Sequence, residues 1–507
     1  MAEPRLLPAA GLSLLAGLGQ ATAMAAPWDG QPLWWLQLLT LGLLGWQLDR
    51  TTGWRRAGLL GWLFATAWLT GTFWWLYISM HTYGGLPAPL AALAVLALAA
   101  VLALYYGAAA ALYVHLAPAS RMGRALLFAG LWLLAELARG RWFTGFGWGA
   151  GGYAHVEGLL AGYAPWVGVY GIGAIAAWLA MTIPQAWSCG HWQRILALAV
   201  LVVPSVQQMG APPSESRSAG RLALALLQGN IPQDEKFQPG TGVATSLRWY
   251  GEQLLQAVDP LVVAPETALP LLPRQLPPGY WDTLSARYAR GDQAALIGVP
   301  LGSLREGYTN SVVALAPGEG WRYDKHHLVP FGEFIPWGFR WFTAMMNIPL
   351  GDFSHGALGQ PSFDWQGQRL AANICYEDLF GEELGARFAD PAEAPTVFVN
   401  VSNIAWFGDT VAIDQHLHIS RMRALEFARP FVRATNTGAT AIIDHRGQVV
   451  AELPRHTRGV LRGEVEGRHG LTPYARWVSA WGLWPLWALG AAAVLLAAWR
   501  RQRRDAP

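Results

Sequence analysis

Long uncharged apolar runs crowd residues 1–207 of this chain, whereas 208–477 alternates short apolar runs with polar gaps. The run AGLLGWLFATAWLTGTFWWLYIS (57–79) carries no charge. As a helix rising about 1.5 Å per residue it crosses a hydrocarbon core of about 30 Å. The run 87–116 does so with residues to spare. Further apolar runs near 6–26, 32–48, 124–138, 163–187, 193–207 and 478–499 bring the predicted spans to eight, the fifth and seventh being the shortest. Residues 1–26 also have the form of a signal peptide: Arg5, an apolar stretch, then AMAAP. They are read here as an uncleaved first span.

In 208–477 the period changes. Apolar and β-branched runs predict strands at 222–228, 261–266, 295–300, 311–316, 370–376, 396–402, 431–436 and 439–444. Helical spacing predicts helices at 243–258, 279–290, 379–389 and 414–428. Buried strands alternating with helices imply a layered α/β domain. The predicted organisation is therefore a membrane domain over 1–207 with seven spans, a globular domain over 208–477, and an eighth span with a basic tail over 478–507.

Charge orients this arrangement. Charged residues are only 14% of the 507 residues and hydrophobic ones 53%, far from a soluble average near 25% charged. A net charge of +3 does not suggest nucleic-acid binding. Lysine occurs only at positions 236 and 325, so the basic charge is almost all arginine. Arg5, Arg50, Arg55, Arg56, Arg121, Arg124, Arg194 and the tail WRRQRRDAP all fall on one side of an eight-span membrane domain. The positive-inside rule makes that side cytoplasmic and puts 208–477 outside. The exception is RGRWFTGFGWGAGGY (139–153), where Arg139 and Arg141 fall on the outer side. Misplaced charge there marks either a topology error or a group that binds lipid phosphate at the membrane surface. The two cysteines, Cys189 and Cys375, then lie on opposite sides of the membrane and make no disulfide.

Three strand ends stand out for their chemistry. VVAPETALP places Glu266 after a strand, YDKHHLVPFGEFIPW places Lys325 in a polar turn, and NICYED places Cys375. A free thiol has a pKa near ~8.5 and needs a base or a cation to react at neutral pH. A glutamate can take its proton, and an ammonium can stabilise the oxyanion formed when the thiolate attacks a carbonyl. Each residue taken singly has an ordinary explanation as well: a packed thiol, a turn carboxylate, an ion pair. The residues alone leave both readings open.

The segments APETALP, KHHLVPFGEFIP and ICYED resemble the Glu, Lys and Cys motifs of the nitrilase superfamily of carbon–nitrogen hydrolases. With the flanking spans, and with LLQGNIPQDEKF, VSNIAWFGDT and QHLHISRMRALEFARPFVRATNTGATAIID, the chain resembles the bacterial apolipoprotein N-acyltransferase family over essentially its whole length. Phe237 stands where that family has a tryptophan after the lysine. The resemblance implies an αββα sandwich beside the polytopic helical domain, with Glu266, Lys325 and Cys375 catalytic and Glu333 and Glu377 supporting. Glu333 can hold Lys325 charged, and the N–H of Tyr376 is a candidate oxyanion donor. Phe237, Phe331, Asn403 and Trp406, with Arg139, are candidate substrate contacts, and Phe334 and Trp337 add to an apolar mouth.

The predicted reaction moves an acyl chain from a phospholipid, by resemblance phosphatidylethanolamine, to Cys375. It then passes to the N-terminal amine of a diacylglyceryl apolipoprotein, at the outer face of the bacterial inner membrane, with no cofactor or metal. Two rivals stand beside it: a membrane-tethered amidase using the same triad, and a non-enzymatic scaffold or transporter. The last needs charges buried along the spans, and Glu136 is the main one. GWGAGG (147–152) follows no strand and is not read as a dinucleotide loop. His326 with His327, and His416 with His418, lack a third ligand at metal spacing. SRMRALEFARP (420–430) is read as a domain helix whose arginines can reach phosphate.

Overall fold

The computed structural model describes residues 6–183, 199–201, 216–318, 320–343 and 352–505. The chain forms two compact units. One comprises Met1–Leu76, Pro89–Ser214 and Trp481–Pro507, and the other Tyr77–Ala88 and Glu215–Ala480.

The first unit is helical: α1 (Leu6–Met24), α2 (Trp34–Leu48), α3 (Trp54–Thr72), α4 (Ala88–Leu102), α5 (Leu104–Leu116), α6 (Arg121–Arg141), α7 (Ala164–Thr182) and, at the C-terminal end, α11 (Trp484–Asp505). Small residues let these helices approach. Gly17 of α1 lies against the Phe64 carbonyl of α3, with no room for a Cβ. A Cβ on Gly61 of α3 would sit 2.5 Å from that of Ala110 on α5, and one on Gly130 of α6 would sit 2.6 Å from Ala493 of α11. Among the described residues three helical stretches, Leu6–Met24, Ala88–Leu116 and Ala161–Thr182, are long and apolar enough to cross a membrane, or five if two bent pairs each count as one.

The predicted spans are altered in two places. The run 57–79 does not stay straight: α3 ends at Phe73 (φ −123°, ψ 35°), and the chain resumes as a short turn of helix, Leu76–Ile78. The run 124–138 lies inside the longer, arginine-flanked α6, which begins at a Ser120 cap accepting the Gly123 N–H at 3.2 Å. Of 193–207 only 199–201 are described, and Arg5, Cys189 and Arg194 also lie outside the described residues.

Among the described residues the second unit has twelve strands. β1 (Arg217–Gln228), β2 (Leu261–Val263), β3 (Ala294–Ser303), β4 (Gly307–Leu315), β5 (Trp321–Asp324) and β12 (Gly459–His469) form a sheet in the order β12-β1-β2-β3-β4-β5. β6 (Phe363–Trp365), β7 (Gln368–Ile374), β8 (Val397–Ser402), β9 (Phe431–Thr435), β10 (Ala441–Ile443) and β11 (Val449–Glu452) form the other, in the order β11-β10-β9-β8-β7-β6.

The period of two along each strand builds the layers. Leu222, Leu224 and Leu226 of β1 point into one core with Val263, Leu296, Ile374, Val399, Val401 and Val432, which joins the two sheets face to face. Ala225 and Leu227 point the other way, with Ile297 and Val299, onto Leu247, Tyr250 and Leu254 of α8 (Ala244–Gln256) and Leu284 and Tyr288 of α9 (Tyr280–Tyr288). On the far sheet Arg433 of β9 faces α10 (Ala412–Phe427), donating to the His416 carbonyl at 3.2 Å. The sequence reading omitted β5, β6, β11 and β12. β5, β6 and β11 are short, and β12 carries charged residues at alternate positions, as half-exposed strands do.

This topology decides where the chemistry gathers. β1, β2 and β3 are mutually parallel, β4 runs back, and β5 runs forward again. In the other sheet β7, β8 and β9 are parallel. The C-terminal ends of β1, β2 and β5 therefore share one edge of their sheet, as those of β7 and β8 do of theirs. Such carboxyl edges are where open α/β sheets bind ligands.

Candidate active site

Glu266 lies three residues beyond β2, in a turn rather than in the strand predicted for 261–266. Its side chain is fixed at both oxygens. Oε1 accepts from Asn310 Nδ2 at 2.7 Å and lies 3.6 Å from Lys325 Nζ. Oε2 accepts the Asn403 main-chain N–H at 2.9 Å. Asn403, a predicted substrate contact, is thus a holder of Glu266. Its own side chain is bound by Gln233 at 2.8 Å and Asn436 at 3.0 Å.

Lys325 follows β5 and is fully buried. Its N–H is anchored on the Asn310 carbonyl at 2.8 Å, and Nζ lies 2.9 Å from both oxygens of Glu333. Burial works against the ammonium, but the Glu333 and Glu266 carboxylates outweigh it and raise the pKa above the ordinary lysine value. Glu333 also accepts from Asn310 Nδ2 at 2.8 Å and from the Val329 N–H at 2.8 Å. One amide group, Asn310 Nδ2, thus bridges both glutamates. The sequence reading missed Asn310 because the predicted strand began one residue later. The signal was a polar TNS run entering an apolar strand.

Cys375 follows β7 directly and opens a tight helical turn, Cys375–Leu379. Its φ of 55° lies in the left-handed region that costs a side-chain-bearing residue about 1 kcal/mol or more. The turn is held from both sides. Glu377 Oε2 accepts the Ile374 N–H at 2.6 Å, and its Oε1 accepts the N–H groups of His326 (2.7 Å) and His327 (3.1 Å) and the Tyr323 hydroxyl (2.9 Å). Glu377 therefore ties the lysine-bearing loop to the cysteine-bearing turn, one from each sheet. The Cys375 carbonyl accepts from Asn400 Nδ2 at 2.9 Å. It also lies 3.3 Å from His416 Nε2, which reaches Asp378 Oδ1 at 3.0 Å. Arg433 and Ser420 close that buried network on Asp378.

Burial pushes the Cys375 thiol up to about 12, assisted by the negative Glu266 and opposed by Lys325 and the Ser402 hydroxyl. The resting thiol thus keeps its proton at neutral pH, and attack needs a base at hand. Cys375 remains partly accessible while its neighbours Tyr376, Glu377 and Asp378 are buried. A strand end that fixes a thiol and leaves one side open suits a nucleophile. The Tyr376 ring meets His327 edge-on at 5.5 Å and Phe380 at 5.2 Å, which orients the backbone that follows the thiol.

The remaining predicted contacts divide. Phe237 is exposed, Phe331 is half-buried and edge-on to Phe339 at 5.4 Å, and Trp406 is half-buried and edge-on to Tyr83 at 5.9 Å. Trp337 is 98% exposed and Trp341 64%. Large exposed apolar groups of this kind mark an interaction surface.

Arg139 corrects the surface expectation. It is fully buried in the helical unit, donating to the carbonyls of Phe146 (2.6 Å) and Trp148 (2.7 Å) and to Tyr106 Oη (2.9 Å). It holds the glycine-rich loop rather than standing at a surface. The basic segment 420–430 is likewise internal. Arg421 donates to the Gly447 carbonyl, Arg423 pairs with Glu426, and Arg429 donates to the Pro395 carbonyl.

Residues 20–182 match the apolipoprotein N-acyltransferase N-terminal domain, and residues 224–474 the carbon-nitrogen hydrolase family. The apolipoprotein N-acyltransferase of Verminephrobacter eiseniae is 62% identical over 497 residues, covering 93% of this chain and 92% of the relative. The chain belongs to the apolipoprotein N-acyltransferase family. The proteins of that name from Ralstonia nicotianae and Bordetella bronchiseptica are 46% identical (99% of this chain, 95% of the relative) and 42% identical (98% and 98%). The membrane-tethered amidase and the scaffold lose ground to this result, since the relatives match through both the helical and the α/β unit.

Proposed function

We propose that this chain transfers a fatty acyl group from a phospholipid to the N-terminal amine of a diacylglyceryl apolipoprotein, through a thioester on Cys375. Glu266 takes the thiol proton as sulfur attacks the lipid ester carbonyl. Lys325 and the Tyr376 N–H stabilise the tetrahedral oxyanion. The ester C–O bond breaks, Glu266 returns the proton to the departing lysophospholipid, and the acyl group stays on sulfur. The acceptor amine then attacks the thioester, Glu266 takes its proton, the C–S bond breaks, and Cys375 regains its proton. Glu333 keeps Lys325 charged throughout. Glu377 holds the two loops in register and does not touch the reacting atoms.

The observation that carries this reading is Lys325 Nζ between Glu333 at 2.9 Å and Glu266 at 3.6 Å, with Glu266 tied on its other oxygen to the end of β8. A nucleophile that needs its base at hand, and a cation that stays charged, suit a carbonyl addition. Phosphatidylethanolamine is the proposed donor. The proposed setting is the bacterial inner membrane, with eight spans and the α/β unit on the periplasmic side. Phe237, Phe331, Trp406 and the exposed Trp337 are then covered by lipid, which keeps water from the thioester.

Two substrates sharing one nucleophile predict ping-pong kinetics. Initial rates measured against phospholipid at several concentrations of a diacylglyceryl peptide should give parallel double-reciprocal lines. Intersecting lines would indicate direct transfer without an acyl-enzyme. Release of free fatty acid faster than peptide acylation would favour the amidase.

A further inference from the structure

The chain's two lysines, Lys236 and Lys325, are both buried and both reach Glu266. Lys325 belongs to the chemistry already described. Lys236 does not. It sits on the loop after β1, is 2% exposed, and its Nζ donates to the main-chain carbonyl of Glu266 at 3.1 Å. The loop is itself built for the purpose. The Lys236 N–H bonds the Pro232 carbonyl at 2.9 Å, Gln233 accepts from Asn403, and the Ile231 N–H bonds Asn436 Oδ1 at 3.0 Å. Asn403 in turn holds the Glu266 carboxylate, so Lys236 and Asn403 grip the same residue by its main chain and its side chain.

Charge counting gives this lysine a purpose. Glu266, Glu333 and Lys325 amount to two negative charges and one positive in a buried site. Glu377, the third carboxylate, is answered by three main-chain N–H groups and a phenol. A surplus buried negative charge beside a thiol opposes forming a thiolate or an oxyanion there. Lys236 supplies the missing positive charge. Arginine covers every basic position of the chain other than Lys236 and Lys325, which sets this lysine apart.

We propose that Lys236 is the second cation of the active site, a positioning residue that fixes the backbone of Glu266 and offsets its negative charge so that the Cys375 anion can form. This rests on the thioester reading above for its place in turnover, but not for its electrostatics. Burial lowers the Lys236 pKa to about 8, although Glu266 and the Cys375 thiolate oppose the shift. Its charge is therefore present below about pH 8 and lost above it. The groups that face it are Glu266 from the turn after β2 and Cys375 from the turn after β7. On its own loop Asp234 is exposed and Glu235 half-buried.

The test needs no lipid. In full-length protein carrying Cys189→Ser, the rate at which a methanethiosulfonate reagent modifies Cys375 is followed by peptide mass spectrometry between about pH 6 and pH 10. Wild type, Lys236→Arg and Lys236→Met are compared. Lys236→Met should react roughly tenfold more slowly than wild type at pH 7, the equivalent of one pKa unit in the thiol. Lys236→Arg should match wild type below about pH 8 and exceed it several-fold above, because arginine keeps its charge where lysine loses it. Lys236→Arg coinciding with wild type across the whole range would overturn the proposal even if Lys236→Met does not fold. So would a Lys236→Met protein that reacts as wild type does. Phospholipid charging of Cys375, measured in parallel, separates the two ideas. Normal reagent profiles with no charging in wild type would remove the acyl-enzyme and leave the role of Lys236 standing.

Discussion

Lys325 and Arg139 are both fully enclosed cations, and they are enclosed for opposite ends. Lys325 lies against two carboxylates, beside a strained, partly open cysteine. Arg139 lies on two main-chain carbonyls and a phenol, with its guanidinium over the Trp68 ring at 5.5 Å. A carboxylate partner keeps a cation charged and can exchange protons with a neighbour. A carbonyl partner can only be held. The lesson is that burial does not separate a chemical site from a structural one. The partners do, together with whether a reactive group is left with an open side.

The comparison breaks most sharply at Lys325. Lys325→Met should lower turnover by about a thousandfold, the loss of a main oxyanion contact, while leaving the protein folded. Active Lys325→Met enzyme, measured per folded molecule, would dissolve the contrast. Next comes Asn310→Ala. It removes two charge-assisted hydrogen bonds, to Glu266 and Glu333, and each is worth about 1.5–3 kcal/mol. Turnover should fall by about tenfold to a hundredfold with little change in apparent affinity for phospholipid. A purely structural Asn310 would instead lower the melting temperature and spare kcat.

Arg139→Ala should act the other way round. It frees the carbonyls of Phe146 and Trp148 and should cost about 2 kcal/mol of stability, seen as lost folded yield, with specific activity of the folded fraction unchanged. A raised KM for phospholipid at normal stability would return Arg139 to a lipid-binding role. The smallest effect expected is a pH dependence at Asp378. Burial would raise its pKa, but His416 and Arg433 outweigh this and hold the carboxyl below the usual range. A depressed carboxylate stabilises the fold above its unfolded pKa of about 3.9, and that contribution is lost as pH falls through the folded value. Asp378→Asn should therefore melt lower at pH 7, with the gap to wild type narrowing below about pH 4. A gap independent of pH would mean that packing, not charge, is what Asp378 provides.

How far the sequence carried these conclusions depends on the kind of signal. Glu266 and Cys375 were legible as candidates because each closes a short apolar run, Lys325 because it stands in a polar turn ahead of an apolar segment, and the family resemblance gave all three their proposed roles. Glu333 and Glu377 lie within reach of the same motifs. Asn310, Lys236, Ser402 and His416 were not legible as site residues. Their roles come from which strand ends lie together, and β1, β4 and β8 contribute from far along the chain. Lys236 had a faint signal in lysine usage, since only two positions in the chain carry that residue. Arg139 misled for a physical reason: an arginine at the end of an apolar run reads as surface charge, and only the loop folding back over it with carbonyls inward shows otherwise. The bend after α3 was equally hidden, because composition marks apolar length and not the point where a helix stops.

The central claim is that an acyl group rests on Cys375 between two half-reactions. Purified protein incubated with phospholipid alone, then read by intact and peptide mass spectrometry, tests it most directly. The account predicts a gain of one acyl chain on the peptide holding Cys375, removed by neutral hydroxylamine, absent in Cys375→Ala and slow to form in Glu266→Gln. Acylation on Cys189 instead, or full turnover by Cys375→Ala, would contradict it.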